Sequence, residues 1–228
     1  MSGLRILGLD TSGRTAAAAI LDTAKGLLLA EHAVSTSRTH SQVILPMCKA
    51  LLEECGMTAA DVDCYAVAVG PGSYTGLRIG VAAVQGMAMV RNTSCVGVST
   101  LESFAARLPY APLVLSVMHA REQLYYAAAY RQQGAVRECI LPDRLYEAAA
   151  LEEIVRQRPV VTGEGAAKLA EEYDITLSPP MLRMQSAAAV CSVAAEKTPD
   201  SPAALTASYL QMVQIQKAAA HSPVKQEP

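Results

Sequence analysis

The chain has 228 residues, 51% of them apolar and 18% charged, with a formal net charge of −2. That is enough material for one large domain or two small ones, and too apolar and too weakly charged for a disordered chain. The uncharged run at 79–90 is far shorter than the roughly 18 to 20 residues a membrane span needs, and the apolar start at 4–9 stops at Asp10 with no small-residue cleavage site, so the expectation is a cytoplasmic protein with no membrane contact.

In chain order, residues 4–9, 16–21 and 27–34 read as three strands joined by tight connections, an antiparallel meander. Residues 41–55 carry apolar side chains at 43, 44, 47, 48, 51, 52 and 55, the spacing of a helix that ends at Gly56. A fourth strand is predicted at 64–69. The glycine-rich turn 70–76 then leads into a helix reaching about Arg91. A fifth strand follows at 95–98, and Ser99 or Thr100 can cap a short helix through Arg107. Strands entered from helices should run parallel to the first, giving a mixed sheet. Pro109 and Pro112 punctuate the chain, which places a boundary between an N-terminal lobe at 1–108 and a C-terminal lobe at 109–228. The second lobe again opens with three strands, at 113–118, 124–130 and 135–141. A helix near 147–156, a strand at 160–162 and helical segments near 166–172 and 185–196 follow. The polar, Pro-containing end at 221–228 is expected to be a loose tail.

Charge and cysteine usage narrow the partners. The first lobe has eight basic and eight acidic residues and the second eleven and thirteen, so neither lobe should grip a nucleic-acid backbone alone. Cysteines 48, 55, 64, 95, 139 and 191 form no C-x-x-C pair and have no zinc spacing, which reads as reduced, mostly buried thiols. His40 has Ile44 rather than histidine four residues on, so a two-histidine helical metal site is absent. The carboxylate pairs Glu53-Glu54, Glu152-Glu153 and Glu171-Glu172 point apart on a helix and read as solvated faces.

Residues 70–78, GPGSYTGLR, are the most informative stretch. A strand-to-helix turn of this composition can hold an anion on its backbone N–H groups. It is not a Walker loop, because Leu77 and Arg78 follow Gly76, and it is not a dinucleotide fingerprint, which needs a different glycine spacing. The candidates for such a loop are Asp10, Thr11, Ser12, Gly70, Gly72, Ser73, Tyr74, Thr75 and Arg78. The alternative is a tight turn with Ser73 as helix cap, and an Asx-type turn at Asp10. In the helix behind the loop, Arg78 and Gln85 are the only long polar side chains between Thr75 and Val90. Gly76, Gly80 and Ala83 add a strip of small residues that would let another helix approach. Two neighbouring helices this apolar predict an exposed face that awaits a partner.

The segments ILGLDTS at 6–12, His40 leading to Leu45-Pro46, GPGSYTGLRIG at 70–80, GVSTL at 97–101, Ala120-Arg121 before Tyr125, and Tyr209-Leu210 occur together and in this order. In these the chain resembles the TsaB (YeaZ) family of tRNA threonylcarbamoyladenosine biosynthesis subunits, over almost its whole length. The resemblance implies an α/β fold of two duplicated lobes like actin, Hsp70 and sugar kinases. It also implies a non-catalytic subunit that binds the catalytic paralogue TsaD through its two N-terminal helices, is joined by the ATPase TsaE, meets tRNA only through the complex and forms a homodimer when alone. The partner contact would then be Ile44, Met47, Cys48, Leu51, Gly76, Gly80, Ala83, Val84 and Met87. No cofactor is required by the chain itself; ATP or ADP with Mg²⁺ would sit at the contact with a partner. The sequence departs from the family at His119, where relatives carry an acidic residue, and at Gln211, where they carry arginine. The alternative reading is an independent ATPase or a glycoprotease-type metal peptidase.

Overall fold

The computed structural model describes residues 3–35, 38–133 and 136–208. The predicted tail and the Tyr209-Leu210-Gln211 segment therefore lie outside the described residues. Two five-stranded mixed sheets share one topology. In the first, β1 (Arg5–Asp10), β2 (Thr15–Asp22), β3 (Leu27–Ser35), β4 (Cys64–Gly70) and β5 (Ser94–Ser99) lie in the order β3-β2-β1-β4-β5. In the second, β6 (Leu113–Arg121), β7 (Leu124–Gln133), β8 (Val136–Glu147), β9 (Val160–Thr162) and β10 (Thr176–Leu177) are ordered β8-β7-β6-β9-β10. Each sheet pairs its first three strands antiparallel and its last two parallel to the first, so the lobes are structural duplicates.

The helices α1 (His40–Glu54) and α2 (Tyr74–Met89) cover one face of the first sheet. Their inward stripes, Ile44, Cys48 and Leu51 on α1 and Leu77, Val81, Val84 and Ala88 on α2, pack on Leu7, Leu9, Ala18, Ile20, Tyr65 and Val67. The end of α1 is set by Gly56, which takes a positive φ of 62° while the Met57 N–H donates to the Leu52 carbonyl at 2.8 Å. This is the left-handed helix stop that favours glycine. The helix α3 (Thr100–Ala106) is capped by Ser99, as the sequence predicts, and carries Leu101, Phe104 and Ala105 against Val114, Met118, Ala128 and Tyr130 of the second lobe. The short helices α4 (Glu152–Arg156) and α5 (Ala166–Leu169) cover the opposite face of that sheet.

Two expectations need correction. The strand predicted at 135–141 continues through Pro142 to Glu147. It can do so because β8 is an edge strand and residues 142 and 143 fall at a register shift opposite Ala127 and Ala129. More consequentially, the lobes are not consecutive in sequence. The helix α6 (Ala187–Ala194) leaves the second lobe and packs Ala187, Val190, Cys191, Val193 and Ala194 on Ile6, Ala17, Ala19, Cys64 and Ala66, closing the other face of the first sheet. A helix apolar but for the exposed Ser192 and a sheet apolar on both faces each need that contact. Beyond α6 the chain pairs with the β5 edge, where Cys95 and Asp200 exchange two 2.8 Å backbone hydrogen bonds. It then crosses to α2, whose Gln85 amide donates to the carbonyls of Pro202 and Leu205 at 3.2 and 3.0 Å. The Ser208 N–H finally reaches the Val69 carbonyl at 2.7 Å.

Candidate functional site

The end of β1 and the turn before α2 are locked together. Asp10, Thr11 and Ser12 are all fully buried. The Asp10 carboxylate accepts the Ser12 N–H at 2.9 Å and the Ser12 hydroxyl at 2.6 Å, an Asx-type turn. The Thr11 hydroxyl donates to the Gly76 carbonyl at 2.7 Å, and the Ser73 N–H donates to the Ser12 carbonyl at 2.7 Å. Ser73 then caps α2 by accepting the Gly76 N–H at 3.2 Å. Gly70 precedes a cis peptide to Pro71 and packs beneath Ser208. Tyr74 lies under the Arg78 guanidinium, 4.2 Å from ring centroid to carbon, on the outside of the helix beside the exposed Thr75. The loop at 70–76 is thus a turn whose donors at Ser73 and Gly76 are satisfied internally. Of the residues expected to cradle an anion, Asp10, Thr11, Ser12 and Ser73 are joined by these bonds, Ser12, Gly72 and Ser73 also line a cavity of the cleft, and Tyr74, Thr75 and Arg78 lie on the exposed side of the helix.

Asp10 also titrates far from the usual carboxylate range. Burial pushes its carboxyl up to about 7, with the Ser12 hydrogen bonds opposing the rise and Glu164 adding to it. One oxygen, Oδ2, has no partner among the described residues. The folded chain therefore holds a proton that the unfolded chain releases near pH 4. Stability should fall as pH rises from about 4 to about 7 and then level off, a loss of roughly 4 kcal/mol. Asp10→Asn keeps the acceptor for Ser12 and removes the ionisation. Its melting temperature should match the parent near pH 4 and exceed it by several degrees at pH 8, read by thermal unfolding across that range.

The cleft between the lobes is built by the duplicated turns. Gly163-Glu164-Gly165 after β9 stands where Gly70-Pro71-Gly72 stands after β4. A Cβ at Gly163 would lie 2.3 Å from the Val117 carbonyl, and one at Gly72 would lie 2.3 Å from the Ser12 carbonyl. Both turns hug the end of the first strand of their lobe. Two lobe-two side chains then reach across: Glu164 accepts the Arg14 N–H at 3.1 Å, and Gln185 accepts the Thr15 N–H at 3.3 Å. Arg107 closes the back by donating to the Met184 carbonyl at 2.7 Å. Two cavities of 560 and 440 Å³ flank this latch and share Arg14, His119 and Glu164 as walls. Sequence reasoning does not single out Arg14, Glu164, Arg183 or Gln185, because their proximity depends on the return of the chain through α6; the glycines around Glu164 are the one local signal. His119 bonds the Glu122 carbonyl at 2.9 Å and meets the Tyr125 ring edge-on, while Arg121 ends β6 exposed. Among the described residues no three or more His, Cys, Asp or Glu side chains are grouped to hold a metal ion.

The outer surface of α1 and α2 has a different character. Six of the nine residues expected at a partner contact, Ile44, Cys48, Leu51, Gly76, Gly80 and Val84, are buried in the chain's own core. The two glycines of the small-residue strip face inward: a Cβ would come within 2.1 Å of the Thr11 carbonyl at Gly76 and 2.4 Å of the Thr11 hydroxyl at Gly80. Its physical role is close approach of α2 to the end of β1. Met47, Ala83 and Met87 stay half-exposed, and around them the outer arc carries Leu45, whose widening of the apolar arc of α1 is legible in the sequence, and Ala82, Gly86, Met89 and Val90, which were not expected at the contact. Leu45 is 48%, Met89 72% and Val90 83% exposed, and from Ile79 to Val90 α2 and its cap bear no charge. Periodicity identifies an apolar arc but not which edge of a wide arc meets the sheet.

Two lobes of identical β3-β2-β1-β4-β5 topology, joined through α3 and facing each other across a cleft, define a protein of the actin, Hsp70 and sugar-kinase class. Comparison with known proteins narrows this. The model of the family "TsaD: tRNA N6-adenosine threonylcarbamoyltransferase" matches residues 32–227. The Bacillus subtilis tRNA threonylcarbamoyladenosine biosynthesis protein TsaB is 32% identical over 69% of each chain, and the Escherichia coli protein of that name is 34% identical over 58% of each. A crystal structure of YeaZ from Pseudomonas aeruginosa superposes with a TM-score of 0.75 at 25% identity, covering 91% of this chain and all of that one. The chain belongs to the TsaB (YeaZ) family, within the sequence group that also holds TsaD.

Proposed function

We propose that this protein is a non-catalytic subunit of the cytoplasmic assembly that forms threonylcarbamoyladenosine in tRNA, binding and activating TsaD through the outer face of α1 and α2. The observation that carries the reading is that face: an uncharged arc on α2, flanked by Leu45 and Met47 of α1, in a chain whose core is already complete without it. The names of the Bacillus subtilis and Escherichia coli relatives supply the pathway. A silent role is supported by Asp10 at the end of β1, which is sealed from solvent and tied to Ser12 rather than presented as a base. TsaE joins the pair, tRNA is met through the complex, and the same apolar face pairs two copies when TsaD is absent. The chain needs no cofactor of its own, and ATP or ADP with Mg²⁺ sits where it meets its partners.

Reconstitution tests this. TsaD, TsaE, tRNA, ATP and a source of the threonylcarbamoyl adenylate are combined with and without the chain, and the modified nucleoside is measured by mass spectrometry. Product should appear only when the chain is present. Equal product without it would sink the activator role. Turnover of ATP by the isolated chain would instead favour the independent-enzyme reading.

A further inference from the structure

The larger cavity of the cleft has walls that the proposed activator role does not use. Arg14 comes from the β1–β2 hairpin of the first lobe; Arg183, Lys168 and Glu164 come from the second. Glu164 is the only carboxylate in the lining, and its Oε1 is engaged by the Arg14 N–H. Lys168 is paired with Glu171. The guanidinium groups of Arg14 and Arg183 have no partner among the described residues, and the Arg183 Nε is buried without an acceptor. A buried guanidinium N–H left unpaired is costly, and a planar fork of donors matches an oxyanion better than any other ligand.

We propose that this cavity binds a small phosphate-type oxyanion, clamped between Arg14 of one lobe and Arg183 of the other. The class is a small anion rather than a nucleotide for two reasons. The hairpin amides of Arg14 and Thr15, which could take a nucleotide phosphate, already donate to Glu164 and Gln185. The walls of this cavity contain no Tyr, Phe or Trp on which a base could stack, and its one aromatic ring, His119, is held by the Glu122 carbonyl and packed edge-on against Tyr125. At 560 Å³ it has room for pyrophosphate as well as phosphate. Because the two arginines belong to different lobes, an occupant would add to the latch and resist lobe opening.

Isothermal titration calorimetry of the full chain with inorganic phosphate and with pyrophosphate, at fixed ionic strength against a sodium chloride blank, tests the site. Saturable binding is expected, weakened about tenfold or more by each of Arg14→Gln and Arg183→Gln and unchanged by Arg131→Gln at a remote surface pair. Arg14 is exposed, so its variant should fold whatever happens at Arg183, and far-UV circular dichroism checks both. No saturable heat, or unchanged affinity in either cleft variant that folds, overturns the clamp. ADP should bind no more tightly than pyrophosphate; ADP binding more than about tenfold tighter overturns the assignment to a small anion. These readouts do not involve TsaD, so failure here leaves the activator reading standing, and the reverse.

Discussion

Gly76→Ala is expected to lower the melting temperature by roughly 10 °C, a cost of about 3 kcal/mol for overpacking a site that cannot give way. The added methyl would meet the Thr11 carbonyl at 2.1 Å, and Thr11 has little room to move: it directly follows β1, is fully buried, and its hydroxyl donates to the Gly76 carbonyl itself. Gly86→Ala in the same helix meets nothing within 4 Å. There the better helix propensity of alanine should raise stability by about 1 kcal/mol. Thermal or urea unfolding of the two variants side by side measures both. Equal effects at the two glycines would mean that α2 does not sit on β1 as described. The contrast also determines which substitutions can test partner binding, since a charge at Gly80 would disrupt the fold before it reached any partner.

Gly86→Glu combined with Leu45→Glu is the corresponding test of the outer face. Both positions are exposed, so the melting temperature should stay within about 2 °C of the parent, as surface changes usually do. In a closed apolar seam, however, two unpaired carboxylates must be desolvated, and TsaD binding should weaken by at least about 100-fold. The self-pairing proposed for the isolated chain should be lost in parallel, read by light scattering on parent and variant. Retained binding with an intact fold would place the TsaD contact elsewhere on the molecule.

Most of the first lobe was legible from the residues alone. Strands β1, β2 and β4 are short apolar runs with turn residues between them, α1 ends at a glycine that adopts the left-handed conformation, and Ser73 and Ser99 cap α2 and α3 as predicted. These are local events, decided within a few residues by propensity, periodicity and capping. The repetition of a three-strand opening after Pro112 likewise announced the duplicated lobe. The two-residue β10 escaped because so short a strand has no periodicity to read.

The chemistry of the molecule lay further from the sequence. Gly76, Gly80 and Val84 looked like a surface for another helix because small and apolar residues are equally suited to a sheet, and only the docked helix shows which neighbour they meet. That the end of β1 and the turn at 70–76 are bonded to each other was likewise hidden, because the Thr11–Gly76 and Ser12–Ser73 pairs lie more than sixty residues apart. The cleft was invisible for the same reason on a larger scale. Arg14 and Arg183, or Thr15 and Gln185, become neighbours only because α6 carries the chain back onto the first sheet. By itself the sequence determined the local elements, the two-lobed class and the family. The tertiary structure decided which faces are used inside the fold and which remain available, because burial and pairing depend on distances that no stretch of chain encodes locally.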